Sequence, residues 1–448
     1  LSTRVIIVRH GQSSYNSQGR IQGRSDDSIL TEKGKADAAQ VANTLKSIQI
    51  DAAYCSPLQR AKSTAEIIIS GLDSALKLQP DEQLMEIDLP LWENLFKEDV
   101  KANFPQEYRA WKEKPHELRM QIPTDDGFKE HYPVLALYKQ AREFWQKLLS
   151  KHQGETVLIV AHNGINRGLI ATAIGMSPDR YHAIQQSNCG ITVLNFAGDW
   201  GEAVQLESLN LTSHVGETLP KVRPGHQGPR LLLVRHGETE WNRAGRFQGQ
   251  IDVPLNENGR EQSQKAKTFL HDVPLDLAFT SPMLRPKETA EIILEAHTQV
   301  NLDTRSGLSE IAHGLWEGKL EAEIDASYPG ELQRWRTIPE QVQMPEGENL
   351  QQVWDRAIPT WQAIVEEVGA SEISRTALVV AHDATNKVIL CHILGLKTAD
   401  FWKIKQGNCA VTVIDYPEGA QGMPVLQSLN ITTHLGGGAI DHTAAGAL

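Results

Sequence analysis

The stretch VRHGQSSYN at residues 8–16 returns as VRHGETEWN at 234–242, each time after an apolar run and each time with an asparagine six positions past the histidine. Further pairs follow in the same order. SPLQRAKSTAEII at 56–68 matches SPMLRPKETAEII at 281–293, EIDLPLWEN at 86–94 matches EIAHGLWEG at 310–318, and VAHNGINRGLI at 160–170 matches VAHDATNKVIL at 380–390. SNCGITVLNF at 187–196 and LESLNLTSH at 206–214 match GNCAVTVIDY at 407–416 and LQSLNITTH at 426–434. The spacing between copies drifts from 226 to 220 positions along the chain, as loop insertions and deletions produce. This is a tandem duplication of one fold of about 210 residues. The expected layout is a first domain at 1–215, a Gly- and Pro-containing linker at 216–229, a second domain at 230–436 and a flexible tail at 437–448.

A chain of 448 residues gives each copy enough length to bury its own core. The net charge of −12 argues against a nucleic-acid partner or an anionic membrane surface. An anionic ligand would need a local basic pocket set against that background. No apolar run reaches membrane-spanning length. The run VIIV begins at Val5 and leaves no room for a signal peptide, which predicts a cytoplasmic protein. Cys55, Cys189, Cys391 and Cys409 form no CxxC pair, so reduced, buried thiols are expected rather than a disulfide framework or a zinc site.

Within each copy, short β-branched or apolar runs alternate with helical patterns. Val5–Val8, Val157–Val160 and Ile191–Asn195 read as strands buried on both faces, repeated by Leu231–Val234, Ala377–Val380 and Val411–Ile414. Ala38, Val41, Ala42, Leu45 and Ile48 share one helical face. The alternation predicts α/β architecture: two tandem three-layer α/β/α sandwich domains with largely parallel central sheets.

His10 stands just past one strand and His162 just past another, at the edge where open α/β sheets bind ligands. A lone histidine there is ordinarily structural; a pair of them, duplicated, points to function. Ser56-Pro57 reads as a helix start with Ser56 as N-cap, which places Arg60 near an anion-favouring terminus. Arg9 adds a second guanidinium suited to bidentate phosphate contacts. Asn163 and Gly164 open a further helix, and Asn16 and Asn242 could donate amide hydrogens to the same anion. The guest that fits is a phosphate monoester: a neutral imidazole can attack phosphorus while arginines hold the equatorial oxygens. Glu86 and Glu310, at matching positions, are candidate proton donors to the leaving oxygen. Glu93 and Glu317 are also shared and read as structural. The sequence has no HExxH, no P-loop and no Asp-rich loop, so a route without metal or cofactor is expected. His131 and His313 have no counterpart in the opposite copy and are either pocket-shaping or plain surface residues.

These motifs resemble the histidine phosphatase superfamily, in its phosphoglycerate mutase-like branch, as two consecutive domains. The ordered set Arg-His-Gly, Ser-Pro-x-x-Arg, Glu and Val-Ala-His, present twice, carries the likeness. The resemblance implies a phosphohistidine at His10 and His236. It places the other roles on Arg9, Arg60, Glu86 and His162, then on Arg235, Arg285, Glu310 and His382. The substrate-loop Gln-Gly pair of the family matches Gln22-Gly23 and Gln248-Gly249. The first copy is similar to the plant 2-carboxy-D-arabinitol-1-phosphatases through RIQGRSDDSILTEKG, EIDLPLW, EHYPV and VAHNGINRGLIATAIG. That group shares the duplicated layout and acts on sugar-phosphate inhibitors of Rubisco, which implies a small phosphorylated sugar as partner. It also implies a plastid stroma location if a transit segment has been removed. The second copy keeps a full catalytic set, a departure from a layout in which that half is degenerate. True mutases carry ERHYG after the acid; EIDLP and EIAHG stand here instead, which favours a phosphatase over a phosphoglycerate mutase. A non-catalytic sugar-phosphate-binding regulatory protein and a protein phosphatase are the remaining alternatives. Aligning Trp145 with Trp361 sets His131-Tyr132 opposite Gly347-Glu348, which predicts that only the first pocket welcomes a second anionic group.

Overall fold

The computed structural model describes residues 2–72 and 75–444. It comprises two compact units, 1–217 and 218–448. In the first unit the strands are β1 (Thr3–Arg9), β2 (Ala52–Cys55), β3 (Leu78–Pro80), the hairpin β4 (Met120–Thr124) and β5 (Gly127–His131), then β6 (Thr156–Ala161), β7 (Ile191–Phe196) and β8 (Val204–Leu211). Six of them form one sheet in the order β3-β2-β6-β1-β7-β8. The first four are mutually parallel, while β7 runs antiparallel to β1 and β8 antiparallel to β7. The helices are α1 (Ser14–Gln18), α2 (Glu32–Leu45), α3 (Gln59–Gly71), α4 (Lys97–Asn103), α5 (Pro105–Glu113), α6 (Pro133–Lys151) and α7 (Asn163–Ile174).

Val5, Ile6, Ile7 and Val8 are all fully buried, as a central strand covered on both faces requires. Helices α2 and α3 pack together, as do α6 and α7. Helix α6 buries Val134, Leu137, Ala141, Phe144 and Leu148, a stripe at spacings of three and four. Helix α2 buries Ala38, Val41, Ala42 and Leu45; Ile48 falls beyond its end.

The second unit repeats the plan. Its strands β9 (Arg230–Arg235), β10 (Leu277–Thr280), β11 (Leu302–Thr304), β12 (Thr376–Ala381), β13 (Val411–Asp415) and β14 (Val425–Ile431) are ordered β11-β10-β12-β9-β13-β14. Its helices are α8 (Glu240–Ala244), α9 (Glu257–Leu270), α10 (Leu284–Leu294), α11 (Glu321–Ser327), α12 (Glu331–Thr337), α13 (Leu350–Gly369) and α14 (Asp383–Ile393). Where the first unit has the β4–β5 hairpin, the second has a tight turn in which Gly347 N–H donates to the Met344 carbonyl.

Two local expectations are corrected. Ser56 does not cap α3: that helix starts at Gln59 with Leu58 as N-cap, and the Ser56 hydroxyl is bonded to His162 instead. The tail expected to be flexible from 437 is packed over its described part. Ala439, Ile440 and Asp441 are buried, and the Asp441 carboxylate accepts from Asn430 and pairs with Lys405. The apolar side chains and the paired carboxylate outweigh the Gly-rich composition; residues 445–448 lie outside the described part. The four cysteines are buried with free thiols. No helix among the described residues is long and apolar enough to cross a membrane.

Candidate active site

Strands β1 and β6 are parallel neighbours with Arg9 opposite Ala161, so the residues that follow them emerge side by side. The His10 and His162 rings lie 5.2 Å apart, edge to face. His10 N–H donates to the Ala161 carbonyl, which fixes the backbone at that point. His10 Nδ1 lies 2.7 Å from the Gly11 carbonyl oxygen. A carbonyl only accepts, so the neutral ring carries its proton on Nδ1 and keeps the lone pair on Nε2. His162 Nε2 is bonded to Ser56 Oγ at 2.7 Å, while its buried Nδ1 has no protein partner. Burial, and then the nearby Arg9 and Arg60 charges, hold His10 well below the usual imidazole range. Burial, followed by Arg60, His10 and Arg9, does the same to His162. Both rings are therefore neutral in the free protein at pH 7.

The guanidinium groups are anchored by backbone carbonyls. Arg9 Nη1 donates to Gln186 O at 2.7 Å; burial lowers its pKa to about 10, which leaves it charged. Arg60 donates to Gly23 O and Ser25 O, both at 2.8 Å, and so pins the loop that carries Gln22 and Gly23. Arg9 Nε and Arg60 Nε are buried without a partner, available to an anion. Gln22 Oε1 accepts from the Ser13 hydroxyl, and Asn16 Oδ1 accepts from the Ser13 backbone N–H and from Asn188, so each amide's oxygen is committed. Gly23 has φ +50°, and a Cβ there would collide with Glu93; the Glu93 carboxylate accepts from Arg24 N–H at 2.6 Å and shapes the same loop. Glu86 lies at the start of α7, accepting from Ile87 N–H at 2.7 Å and from Gly164 and Ile165 N–H at 3.0 Å. Gly164 is required by this closeness, because a Cβ would run into Glu86 Oε1 and Tyr181 Oη.

A cavity of about 200 Å³ is lined by Arg9, Asn16, Gln22, Gly23, Glu86 and Asn163, but not by His10, Arg60 or His162, together with Arg20, Lys97, Trp111, Arg167 and Tyr181. Sequence reasoning missed the last five. Arg167 had a signal, since it falls one helical turn after Asn163 on the same face of α7. The others come from segments remote in sequence. His131 does not line the cavity. It ends β5, and its Nε2 is bonded to Asp88 O at 3.0 Å, so the hairpin fold consumes it.

In the second unit the His236 and His382 rings are 5.3 Å apart, His236 Nδ1 is 2.7 Å from Gly237 O, and His382 Nε2 is 2.8 Å from Ser281 Oγ. His382 Nδ1 is again unpartnered. Both imidazoles are held well below their usual range by burial and then by Arg285. Arg235 donates to Gln406 O at 2.6 Å, and Arg285 to Gly249 O at 2.7 Å and to His236 Nε2 at 3.2 Å. Gln248 Oε1 accepts from Thr239 at 2.6 Å, and Asn242 Nδ2 is buried without a partner. Glu310 accepts from Ala384 and Thr385 N–H at 3.3 Å. Its pKa is raised, first by burial and then by Asp383. Glu348, expected to repel anions from this pocket, is engaged by Arg356 through two bonds of 2.8 Å and accepts from Ala312 N–H. His131 and Glu348 are thus both held by protein groups. His313 is buried against Phe247 and Trp335, its pKa lowered to about 3 by burial and then by Arg285.

The model of the histidine phosphatase superfamily (branch 1) matches residues 5–209 and again 231–432. The chain belongs to the histidine phosphatase superfamily. This superfamily member is 32% identical to the 2-carboxy-D-arabinitol-1-phosphatase of Triticum aestivum over 97% of its own length and 86% of the relative's. It is 30% identical to the probable 2-carboxy-D-arabinitol-1-phosphatase of Arabidopsis thaliana, over 97% and 88% of the two chains. One half of it is similar to phosphoserine phosphatase 1 of Hydrogenobacter thermophilus, at 35% identity over 46% of this chain and 94% of the relative.

Proposed function

We propose that this histidine phosphatase hydrolyses phosphate monoesters of phosphorylated sugars, with His10 and His236 as nucleophiles. The observation that carries the reading is the tautomer lock, present twice. Each first histidine directs its Nδ1 proton to the next residue's carbonyl and so keeps its lone pair on Nε2, which accepts from Arg285 Nε at 3.2 Å in His236, opposite a second histidine whose Nδ1 is unpartnered. Nε2 attacks phosphorus, the N–P bond forms as the P–O ester bond breaks, and Arg9, Arg60 and His162 hold the equatorial oxygens. Glu86, when protonated, gives its proton to the departing alkoxide. The resulting carboxylate then takes a proton from the water that attacks phosphohistidine, releasing phosphate and restoring the imidazole. Arg235, Arg285, His382 and Glu310 take the same parts in the second unit. Similarity along nearly the whole chain to proteins named 2-carboxy-D-arabinitol-1-phosphatase supports a carboxylated sugar monophosphate as substrate. The charge of Arg167 at the first cavity is compatible with a second anionic group.

The test is phosphate release from a panel of sugar mono- and bisphosphates, with and without EDTA. Turnover that survives chelation is expected. Activity lost to EDTA and restored by Mg²⁺ would contradict the route, and transfer of phosphate between sugar positions without release would identify a mutase.

A further inference from the structure

The floors of the two sites share their residues and differ in one bond, Arg285 Nε to His236 Nε2, where Arg60 Nε is unpartnered; one wall differs in its residues. Asn163, the first residue of α7, is replaced by Asp383 at the start of α14. The Asp383 carboxylate lies 3.4 Å from Arg235 Nη1 and 2.9 Å from Lys387 Nζ, and all three side chains are almost fully buried. Lys387 stands where the first unit has Arg167. Arg167 is held by neutral partners, His182 and Gln185 at 3.2 Å each, so its charge is uncompensated by them. The charge of Lys387 is instead taken up by Asp383, and its ammonium sits over the Phe401 and Trp402 rings at 5.0 and 4.7 Å. Arg9, Arg60 and Arg167 thus face one carboxylate, Glu86, in the first site, whose cavity Arg20 and Lys97 also line, whereas Arg235, Arg285 and Lys387 face two carboxylates, Glu310 and Asp383, in the second. The second site is also more enclosed. Arg9, Asn16, Gln22, Glu86 and Asn163 are half-buried, whereas Arg235, Asn242, Gln248, Glu310 and Asp383 are each at most 6% exposed.

Resting on the functional reading above, we infer that Asp383 is a specificity-determining residue of the second site. It occupies Arg235 and Lys387 in place of substrate charge, and it bars phosphate esters that carry a further anionic group beside the ester. An incoming phosphate must share Arg235 with a buried carboxylate. A second anion on the substrate would find Lys387 already neutralised and Asp383 repelling it. The first site, with a neutral amide at Asn163, has neither obstacle. The duplicated chain therefore holds one site open to doubly anionic esters and one restricted to phosphate esters of neutral bodies.

The experiment uses a matched pair of substrates, glycerol 3-phosphate and 3-phosphoglycerate, which differ by one carboxylate. The full chain carrying His10→Ala reports the second site, and the chain carrying His236→Ala reports the first. With the second site alone, kcat/KM for glycerol 3-phosphate should exceed that for 3-phosphoglycerate. Adding Asp383→Asn should shift that ratio at least tenfold toward 3-phosphoglycerate, mainly through KM. The reciprocal Asn163→Asp, at a half-buried position that tolerates the change, should shift the first site's ratio at least tenfold the other way. Unchanged ratios in both swaps would overturn the inference, as would a uniform loss of kcat with KM constant. If the intact chain releases phosphate from neither ester nor from p-nitrophenyl phosphate, the functional reading fails first. Calorimetric titration of inorganic phosphate then decides the charge argument: tighter binding in Asp383→Asn than in the unaltered chain upholds it, and equal binding refutes it.

Discussion

The two candidate sites of this chain agree wherever backbone holds the chemistry and differ where side chains alone form the wall. In both, the first histidine is oriented by the following carbonyl, the second by a serine hydroxyl, and the deeper arginine by carbonyls of the substrate loop. Such bonds depend on strand ends and loop paths, which a duplicated fold reproduces. The starts of α7 and α14 differ at Asn163 against Asp383, Gly164 against Ala384, Ile165 against Thr385 and Arg167 against Lys387, and the segment packed on them differs at Tyr181 against Phe401. Two of these changes are coupled. A Cβ at Gly164 would strike Glu86 and the Tyr181 hydroxyl; the second unit has the Cβ but lacks the hydroxyl, and its Glu310 bonds lengthen from 3.0 to 3.3 Å. These changes leave the carbonyl bonds that orient His10 and His236 at the same 2.7 Å.

The largest effects should erase one side of the comparison. His10→Ala should abolish turnover at the first site and His236→Ala at the second, each by a factor on the order of 10,000 or more. Each single variant should retain the other site's substrate profile, and the double variant should be inert. A single variant inactive on every substrate would show that the sites do not work independently. Next come Glu86→Gln and Glu310→Gln, which keep shape and remove the transferable proton. Losses of roughly 100- to 10,000-fold are expected on alkyl phosphates and much smaller ones on p-nitrophenyl phosphate, whose leaving group needs no proton. Equal losses on both substrates would remove the glutamates from that role.

The wall gives a smaller effect. Gly164→Ala should push Glu86 out of line and lower kcat on alkyl phosphates by about ten- to a hundredfold, with Tyr181→Phe partly restoring it. No loss, or no rescue, would break the coupling drawn between Ala384 and Phe401. The smallest effect is on stability. The four paired histidines have folded pKa values well below the unfolded value of 6.5, so their neutral burial stabilises fully above that pH. As pH falls below 6.5 the unfolded chain takes up protons that the folded chain refuses, and stability declines by up to about 1.4 kcal/mol per pH unit for each histidine. Denaturant melts between pH 7.5 and 5.5 should show this decline, and His10→Asn should make it shallower for the first unit only, because His162 still contributes.

Much of this was legible in the residues. The strands before His10 and His162 are apolar runs with few other readings, and duplication marked which polar residues travel with them. The antiparallel β7 and β8 were not visible as such, because a strand buried on both faces has the same composition whichever way it runs. The wall residues were the weak point. Trp111 and Tyr181 reach the cavity through tertiary packing that no periodicity encodes, and His131 was drawn in by alignment although the hairpin bonds it to Asp88. Asp383 lay in plain view opposite Asn163, but its meaning depends on the distances to Arg235 and Lys387.

The central claim is that Nε2 of His10 and of His236 takes the phosphoryl group. The most direct measurement is rapid quench of the intact chain with ³²P-labelled substrate, followed by mapping of the labelled peptides and assignment of the phosphorylated nitrogen by ³¹P NMR. Acid-labile, base-stable label is expected on Nε2 of His10 and His236, with each signal lost in the corresponding alanine variant. Label on Nδ1, on any residue other than these two histidines, or on none during steady turnover would contradict that claim.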